Sequence, residues 1–279
     1  MKNMERIKKE YDCLLNTTNH KFNTNKGLNI VNYFTLEERL NTRGNKGISF
    51  REFERDWNEK YSLSECNQKM YDWYNLNKPL YGHEKILMNI FRLYYGMPMT
   101  MKPIRALELY REFRPKRILD PCAGFGSRML SANIYGAESY IGIDSNINLI
   151  EPIKEMINWL SDKSKTNNQM YWESALTMDY TKLNYDFVFT SPPYYNIERY
   201  NHMIEYKTKL EWDNKFYIPL WTMVWDSLKS GGHFCVNVNR EIYIRTLVPL
   251  FGNAEQMRTM TTRHKFKDYQ EMIYIWKKD

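Results

Sequence analysis

The hexapeptide TSPPYY, residues 190–195, closes an apolar run, YDFVF, that reads as a buried strand. Neither proline donates a backbone hydrogen bond, each fixes its own φ, and each pushes the residue before it into an extended shape. The result is a stiff hook at a strand end. It carries the Ser191 hydroxyl, carbonyls freed of ladder partners by Pro192 and Pro193, and an aromatic plate at Tyr194. Such a corner suits a planar group with an exocyclic amine. An aromatic amine is a weak nucleophile because its lone pair is delocalised into the ring. Two acceptors placed tetrahedrally draw the nitrogen toward sp³ geometry and free that pair. They grip harder as the nitrogen turns positive, which favours the transition state over the ground state.

A second cluster lies about 70 residues upstream. DPCAGFGSRML, residues 120–130, sits where a short strand turns into a helix. Gly124 and Gly126 let the backbone bend tightly and leave room for a ligand. Asp144 follows Asp120 by 24 positions at the end of the next strand, where a carboxylate can accept from both hydroxyls of a ribose. A dinucleotide would prefer a third glycine and a pyrophosphate on the helix N-terminus. Here Arg128 and Met129 occupy that region, and an acidic residue, Asp120, opens the turn. A carboxylate there suits a cationic ligand carrying an ammonium and a sulfonium, such as S-adenosylmethionine. A lone GxG turn also serves simply to pack a helix.

The elements that must position these residues alternate in type. Strands are expected at RILD (117–120), YIGID (140–144), MYWES (170–174), FVFT (187–190) and HFCVNVN (233–239). Between them fall a helix from Ser127 to about Tyr135 and two apolar sets with helical spacing. One is Ile153, Met156, Ile157 and Leu160; the other is Trp221, Val224, Trp225 and Leu228, ended by Gly231-Gly232. MRTMT and MIYIW in the tail suggest a closing antiparallel pair. This order predicts an α/β fold with a mostly parallel sheet covered on both faces. Ligands of such sheets bind beyond the carboxyl ends of the strands. In that arrangement the hook's strand lies beside the first strand, so both clusters share a cleft. The first 95 or so residues look mainly helical, with capping-box patterns at Thr35/Glu38, Ser49/Glu52 and Ser62/Glu65. NTRGNKG (41–47) reads as a turn, or as a loop in which Arg43 and Lys46 contact phosphates.

Bulk properties set outer bounds. The chain has 279 residues, 15% aromatics and a net charge of +7, which permits a polyanionic partner without requiring one. No apolar run approaches the roughly 20 residues that span a bilayer, and MKNMERIKKE is no secretory signal. Cys13, Cys66, Cys122 and Cys235 lack paired spacing, which points to reduced thiols in a cytoplasm-like compartment, or the nucleus or host cytoplasm for a eukaryotic or viral source. No histidine or cysteine spacing suggests a metal site.

The two motifs resemble those of the amino-methyltransferases, class I S-adenosylmethionine enzymes that methylate exocyclic amines of nucleic-acid bases. DPCAGFG is similar to their cofactor motif and TSPPY to their catalytic [DNS]PP[YFW] motif. The resemblance implies a Rossmann-like class I methyltransferase domain over residues 96–279, with a seven-stranded, mostly parallel sheet and an antiparallel C-terminal strand. Residues 1–95 would form a mainly helical region that serves substrate recognition. It further implies catalysis by Ser191, Pro192, Pro193 and Tyr194 on a base flipped out of its stack. Cofactor contacts would come from Lys102, Pro103, Arg105, Asp120, Cys122, Ala123, Gly124, Gly126, Asp144, Ser145, Ser174 and Ala175. Tyr195, Asn196, Tyr200, Arg43 and Lys46 would meet the substrate. Ser191 at the head of the hook leans toward DNA cytosine N4 over adenine N6. About 85 residues follow the hook, too few for a separate target-recognition domain. Recognition is then left to the N-terminal region, to loops such as NIERYNHMIEYK (196–207), or to a second copy or specificity partner.

Other readings stay open at this level. The same hook serves an RNA base methyltransferase. A protein glutamine amide is also planar and weakly nucleophilic, although that group favours Asn where Ser191 stands. A non-catalytic nucleic-acid-binding subunit has no chemical need for both intact motifs. An NAD-dependent oxidoreductase leaves the hook unexplained.

Overall fold

The computed structural model describes residues 2–17, 24–44, 46–197, 199–200, 202–259 and 271–279. Met260 and Thr261 of the expected MRTMT strand, together with Asn45, Glu198 and Asn201 of the two loops, lie outside the described residues. The N-terminal part holds α1 (Lys2–Leu15), α2 (Leu28–Asn41), α3 (Phe50–Arg55), α4 (Glu65–Asn77) and α5 (His83–Tyr94). Then come α6 (Pro103–Phe113), β1 (Arg117–Asp120), α7 (Ser127–Tyr135), β2 (Ser139–Ile143), α8 (Ile150–Ser161), β3 (Asn167–Tyr171) and β4 (Phe187–Thr190). A short α9 (Lys209–Trp212) runs through a widened turn into α10 (Ile218–Ser227), followed by β5 (His233–Asn239), β6 (Gln256–Thr259) and β7 (Glu271–Lys277).

The described strands form a seven-stranded sheet in the order β3-β2-β1-β4-β5-β7-β6. Strands β1 to β5 pair in parallel, and β7 runs antiparallel to both β5 and β6. This is the Rossmann-like class I methyltransferase architecture. The order reverses at β1, where β2 and β4 flank it on opposite sides. Side chains alternate across the sheet as the pleat requires. Phe187 and Phe189 enter one apolar cluster, while Val188 enters the other.

The N-terminal helices do not share one core. Ile7, Tyr11 and Leu14 of α1 and Ile30 and Val31 of α2 pack into the same cluster as Leu107, Met129 and Ile153 on one face of the sheet. A separate cluster joins Leu40, Phe50, Phe53, Trp57, Tyr61, Ile86, Leu87, Ile90, Phe91 and Met97. The capping patterns divide accordingly. Ser49 and Glu52 make the reciprocal box at the start of α3. Thr35 instead lies inside α2, where its hydroxyl donates to the Val31 carbonyl at 2.8 Å and the Phe125 carbonyl at 3.2 Å. The cap of α4 is Ser64 rather than Ser62. A further box at Thr208 and Glu211 opens α9. Strand β3 starts at Asn167, upstream of the expected MYWES, because its polar residues pair with β2 at the sheet margin. Polar side chains there hide the strand from a hydrophobicity pattern.

Candidate active site

Parallel pairing of Ile118 with Phe187 and Leu119 with Val188 brings the ends of β1 and β4 side by side. The turn after β1 and the hook after β4 therefore open into one cavity of about 590 Å³. Gly124, Asp144, Ser145, Ser174 and Ala175 line one part of it, and Ser191, Pro192, Pro193 and Tyr194 line another. Lys102, Arg105, Cys122, Ala123 and Tyr200 also reach the wall.

Gly124 has φ 58°, and a Cβ built there would meet no atom within 4 Å. The positive φ favours glycine, and the empty space above it belongs to the cavity. The Gly124 N–H donates to Asp144 Oδ2 at 2.7 Å, and the Asn146 N–H donates to Asp144 Oδ1 at 2.9 Å. Each carboxylate oxygen retains a second lone pair for a ligand hydroxyl. Burial raises the Asp144 carboxyl above the ordinary carboxylate range, against the pull of these two N–H groups. Helix α2 braces the same corner, since Glu38 Oε1 accepts from the Asn146 side chain at 2.8 Å. Burial, then the Asp120 carboxylate, pushes the Cys122 thiol up, so it stays protonated in the wall.

Asp120, Gly126, Pro103 and Arg43, all expected contacts, do not line the cavity. Asp120 is fully buried. Its carboxylate accepts from Arg128 Nε at 2.6 Å, Arg128 Nη2 at 3.2 Å and the Tyr140 hydroxyl at 2.6 Å. It therefore neutralises a buried guanidinium instead of facing a cationic ligand. A Cβ on Gly126 would lie 2.8 Å from Ile153 Cδ1; that glycine lets the turn pack against α8. Pro103 is buried against Gly27, and its carbonyl accepts from Ser131. Arg43 gives its guanidinium to Glu52 at 2.6 Å, while its backbone bridges to Arg199. Lys46 is exposed, and neither it nor Arg43 lines a described cavity.

The hook is held by residues the sequence reading did not single out. Asn237 Nδ2 of β5 lies 3.1 Å from Ser191 Oγ, 2.7 Å from the Tyr194 hydroxyl and 2.7 Å from Glu271 Oε1, so its two N–H groups are shared among three acceptors. The Tyr194 hydroxyl lies 2.9 Å from Glu271 Oε1 and 3.3 Å from Ser191 Oγ. Tyr194 is thus fixed by its hydroxyl as well as offering a ring. Asn237 Oδ1 is buried with no hydrogen-bond partner among the described residues. Both Asn237 and Glu271 line the cavity. The alternating pattern of HFCVNVN placed Asn237 in a strand, but only pairing with β7 brings Glu271 to it.

Tyr195 and Asn196 face elsewhere. They line a neighbouring cavity of about 400 Å³ with Lys207, Lys209, Asn239, Arg240 and Glu241. Ile197 and Trp212 form walls of both cavities.

Residues 106–217 match a protein family described as conserved hypothetical protein 95. No curated protein sequence matches the chain. Among solved structures, TrmN from Thermus thermophilus is 17% identical with a TM-score of 0.43, over 64% of this chain and 49% of that one. The chain thus spans about half the length of TrmN. The putative methyltransferase yhhF from Escherichia coli is 13% identical with a TM-score of 0.41, over 63% of this chain and 87% of that one. An rRNA methylase from Streptococcus thermophilus is 11% identical with a TM-score of 0.43, over 65% of this chain and all of the other.

Proposed function

We propose that this chain transfers a methyl group from S-adenosylmethionine to the exocyclic amine of a nucleic-acid base, taken from an unpaired stretch of RNA. The observation that carries the reading is the single cavity joining the Gly124 bend and Asp144 to Ser191 and Tyr194. When bound, S-adenosylmethionine supplies an electrophilic methyl on a sulfonium. The open space over Gly124 and the half-buried Asp144 carboxylate fit a nucleoside with two ribose hydroxyls. Lys102 and Arg105 suit the carboxylate of its amino-acid end, and Ser174 and Ala175 line the cavity where its adenine would lie.

The hook then does the substrate chemistry. The Pro193 carbonyl already accepts from the Tyr217 hydroxyl, and the proposal assigns the acceptor role to Ser191 Oγ and the Pro192 carbonyl. Glu271 is an acceptor when ionised, so it orients the Tyr194 proton toward itself. Tyr194 can then take the Ser191 proton, and a Ser191 lone pair faces the base amine. As the amine nitrogen gains its fourth bond it must lose a proton. That proton passes to Ser191 Oγ, the Ser191 proton to Tyr194, and the Tyr194 proton to Glu271. Asn237 holds the three groups in register, and its unpartnered Oδ1 is a further acceptor in the wall.

An RNA loop presents bases already splayed from their stack. That suits a chain whose described recognition elements are short loops and one small helical cluster. The DNA cytosine N4 reading is the second choice, favoured by serine at the head of the hook. Labelled methyl donor, supplied with RNA and DNA pools that are then digested to nucleosides, decides between them. Label in an RNA base amine supports the proposal, label on DNA cytosine N4 supports the second reading, and label on neither nucleic acid refutes both.

A further inference from the structure

We propose that the second cavity binds the nucleotide adjacent to the target base, with Lys207 and Arg240 holding its phosphate. The inference rests on reading the first cavity as a base pocket. Its volume of about 400 Å³ lies within the roughly 300–1,000 Å³ of small-molecule sites. Because Ile197 and Trp212 belong to both cavities, a base entering the first leaves its strand neighbour facing the second.

Charge marks the kind of ligand. Lys207, Lys209 and Arg240 stand against Glu241 in the lining. Lys209 Nζ is 2.7 Å from both Glu241 oxygens and lies over the Tyr195 ring at 5.3 Å from its centroid. That pair cancels, and the positive surplus comes from Lys207 and Arg240. Asn196 adds a side-chain amide whose oxygen accepts from Trp212 Nε1 at 3.1 Å. Its Nδ2 donates to the Tyr206 carbonyl at 3.1 Å, so the amide is held in place on both sides. A cavity with a fixed amide and two cations suits a nucleoside carrying a phosphodiester.

A backbone device separates the two sites. Tyr195 has φ 52°, a conformation that a residue with a side chain rarely adopts. Two hydrogen bonds hold it there, one of them to an aspartate that is itself ion-paired. The Tyr195 N–H donates to the Tyr217 hydroxyl at 3.0 Å, its own hydroxyl donates to Asp213 Oδ1 at 3.0 Å, and Arg245 pins Asp213. Such strain persists where the surroundings over-determine it, and it concentrates at functional sites. Here the reversal sends Tyr194 into the first cavity and Tyr195 with Asn196 into the second.

The test compares wild type with Lys207→Gln, Arg240→Gln and the double variant. The readouts are binding of a fluorescent random-sequence RNA oligonucleotide across a salt series and methyl transfer to that RNA. Each lost single-strand phosphate contact should lower the slope of log affinity against log salt by roughly 0.7. The double variant is expected to lose about 0.7 in slope, for the one phosphate the two cations share, and about tenfold or more in affinity at low salt, with S-adenosylmethionine affinity unchanged. An unchanged slope and affinity in an active wild-type background overturn the second site alone. A wild-type enzyme that methylates neither RNA nor DNA removes the base pocket and this inference with it.

Discussion

Asn237 Nδ2 donates to the Ser191 hydroxyl at 3.1 Å, so a β5 amide fixes the group proposed to accept a hydrogen bond from the substrate amine. The hook is therefore set across strands β4 and β5 rather than by its prolines alone. Ser191→Ala and Asn237→Ala should each lower kcat about 10²-fold, the scale of losing one preorganised polar contact to developing charge. Cofactor affinity should stay within a few-fold of wild type. Calorimetric binding beside steady-state rates checks this, and a matching fall in affinity would show that the hook only holds the fold. Glu271→Gln should also slow turnover, because the neutral amide cannot take up the relayed proton. A kcat unchanged by Glu271→Gln places the proton's exit elsewhere.

On the proposed reading, Asp144 accepts from the ribose hydroxyls of the cofactor. Its carboxyl is raised by burial, so the ionised acceptor form is lost as pH falls into the upper carboxylate range. S-adenosylmethionine affinity should weaken over that interval for wild type. Asp144→Asn should bind about 10- to 100-fold more weakly, since charged hydrogen bonds contribute roughly 1.5–3 kcal/mol each, and should lose the pH dependence. Equal affinity for wild type and Asp144→Asn would move the ribose site.

Arg128 and Asp120 form a buried pair with Tyr140 as a third partner. Arg128→Ala leaves the Asp120 carboxylate buried and uncompensated, which costs about 3–5 kcal/mol. That is a large share of a typical domain's stability. Denaturant melts should show the loss directly, with Tyr140→Phe milder. A normal melt combined with weak cofactor binding would return Asp120 to the ligand shell.

His233 packs its ring 4.4 Å from that of Phe113, by centroids. Burial, with Lys277 adding to it, holds the imidazole below its ordinary value of 6.5. The folded state therefore binds its proton less readily than the unfolded state. Stability is complete above that ordinary value and falls as pH drops through it toward the folded pKa. Thermal melts at roughly pH 7.5 and 5.5 should show a larger acid loss for wild type than for His233→Phe. Identical losses would disprove the linkage.

What the sequence determined follows from local chemistry. RILD, FVFT and HFCVNVN are strands because β-branched and aromatic residues alternate or run together between turn residues. The Ser127–Tyr135 helix begins and ends at glycines that take positive φ. Gly124, Asp144 and the Ser191–Tyr194 hook were legible because each sits at a strand's carboxyl end, where the fold class puts ligands. Tertiary structure decided what those residues face. Asp120 reads as a ligand until Arg128 and Tyr140 claim it, because charge neutralisation in a core depends on side chains from other elements. Glu271 joins Ser191 only through the antiparallel pairing of β7 with β5, a register that no local pattern encodes. Tyr194 and Tyr195 are neighbours in sequence, yet they line different cavities because a left-handed backbone turn, held by Tyr217 and Asp213, points them apart.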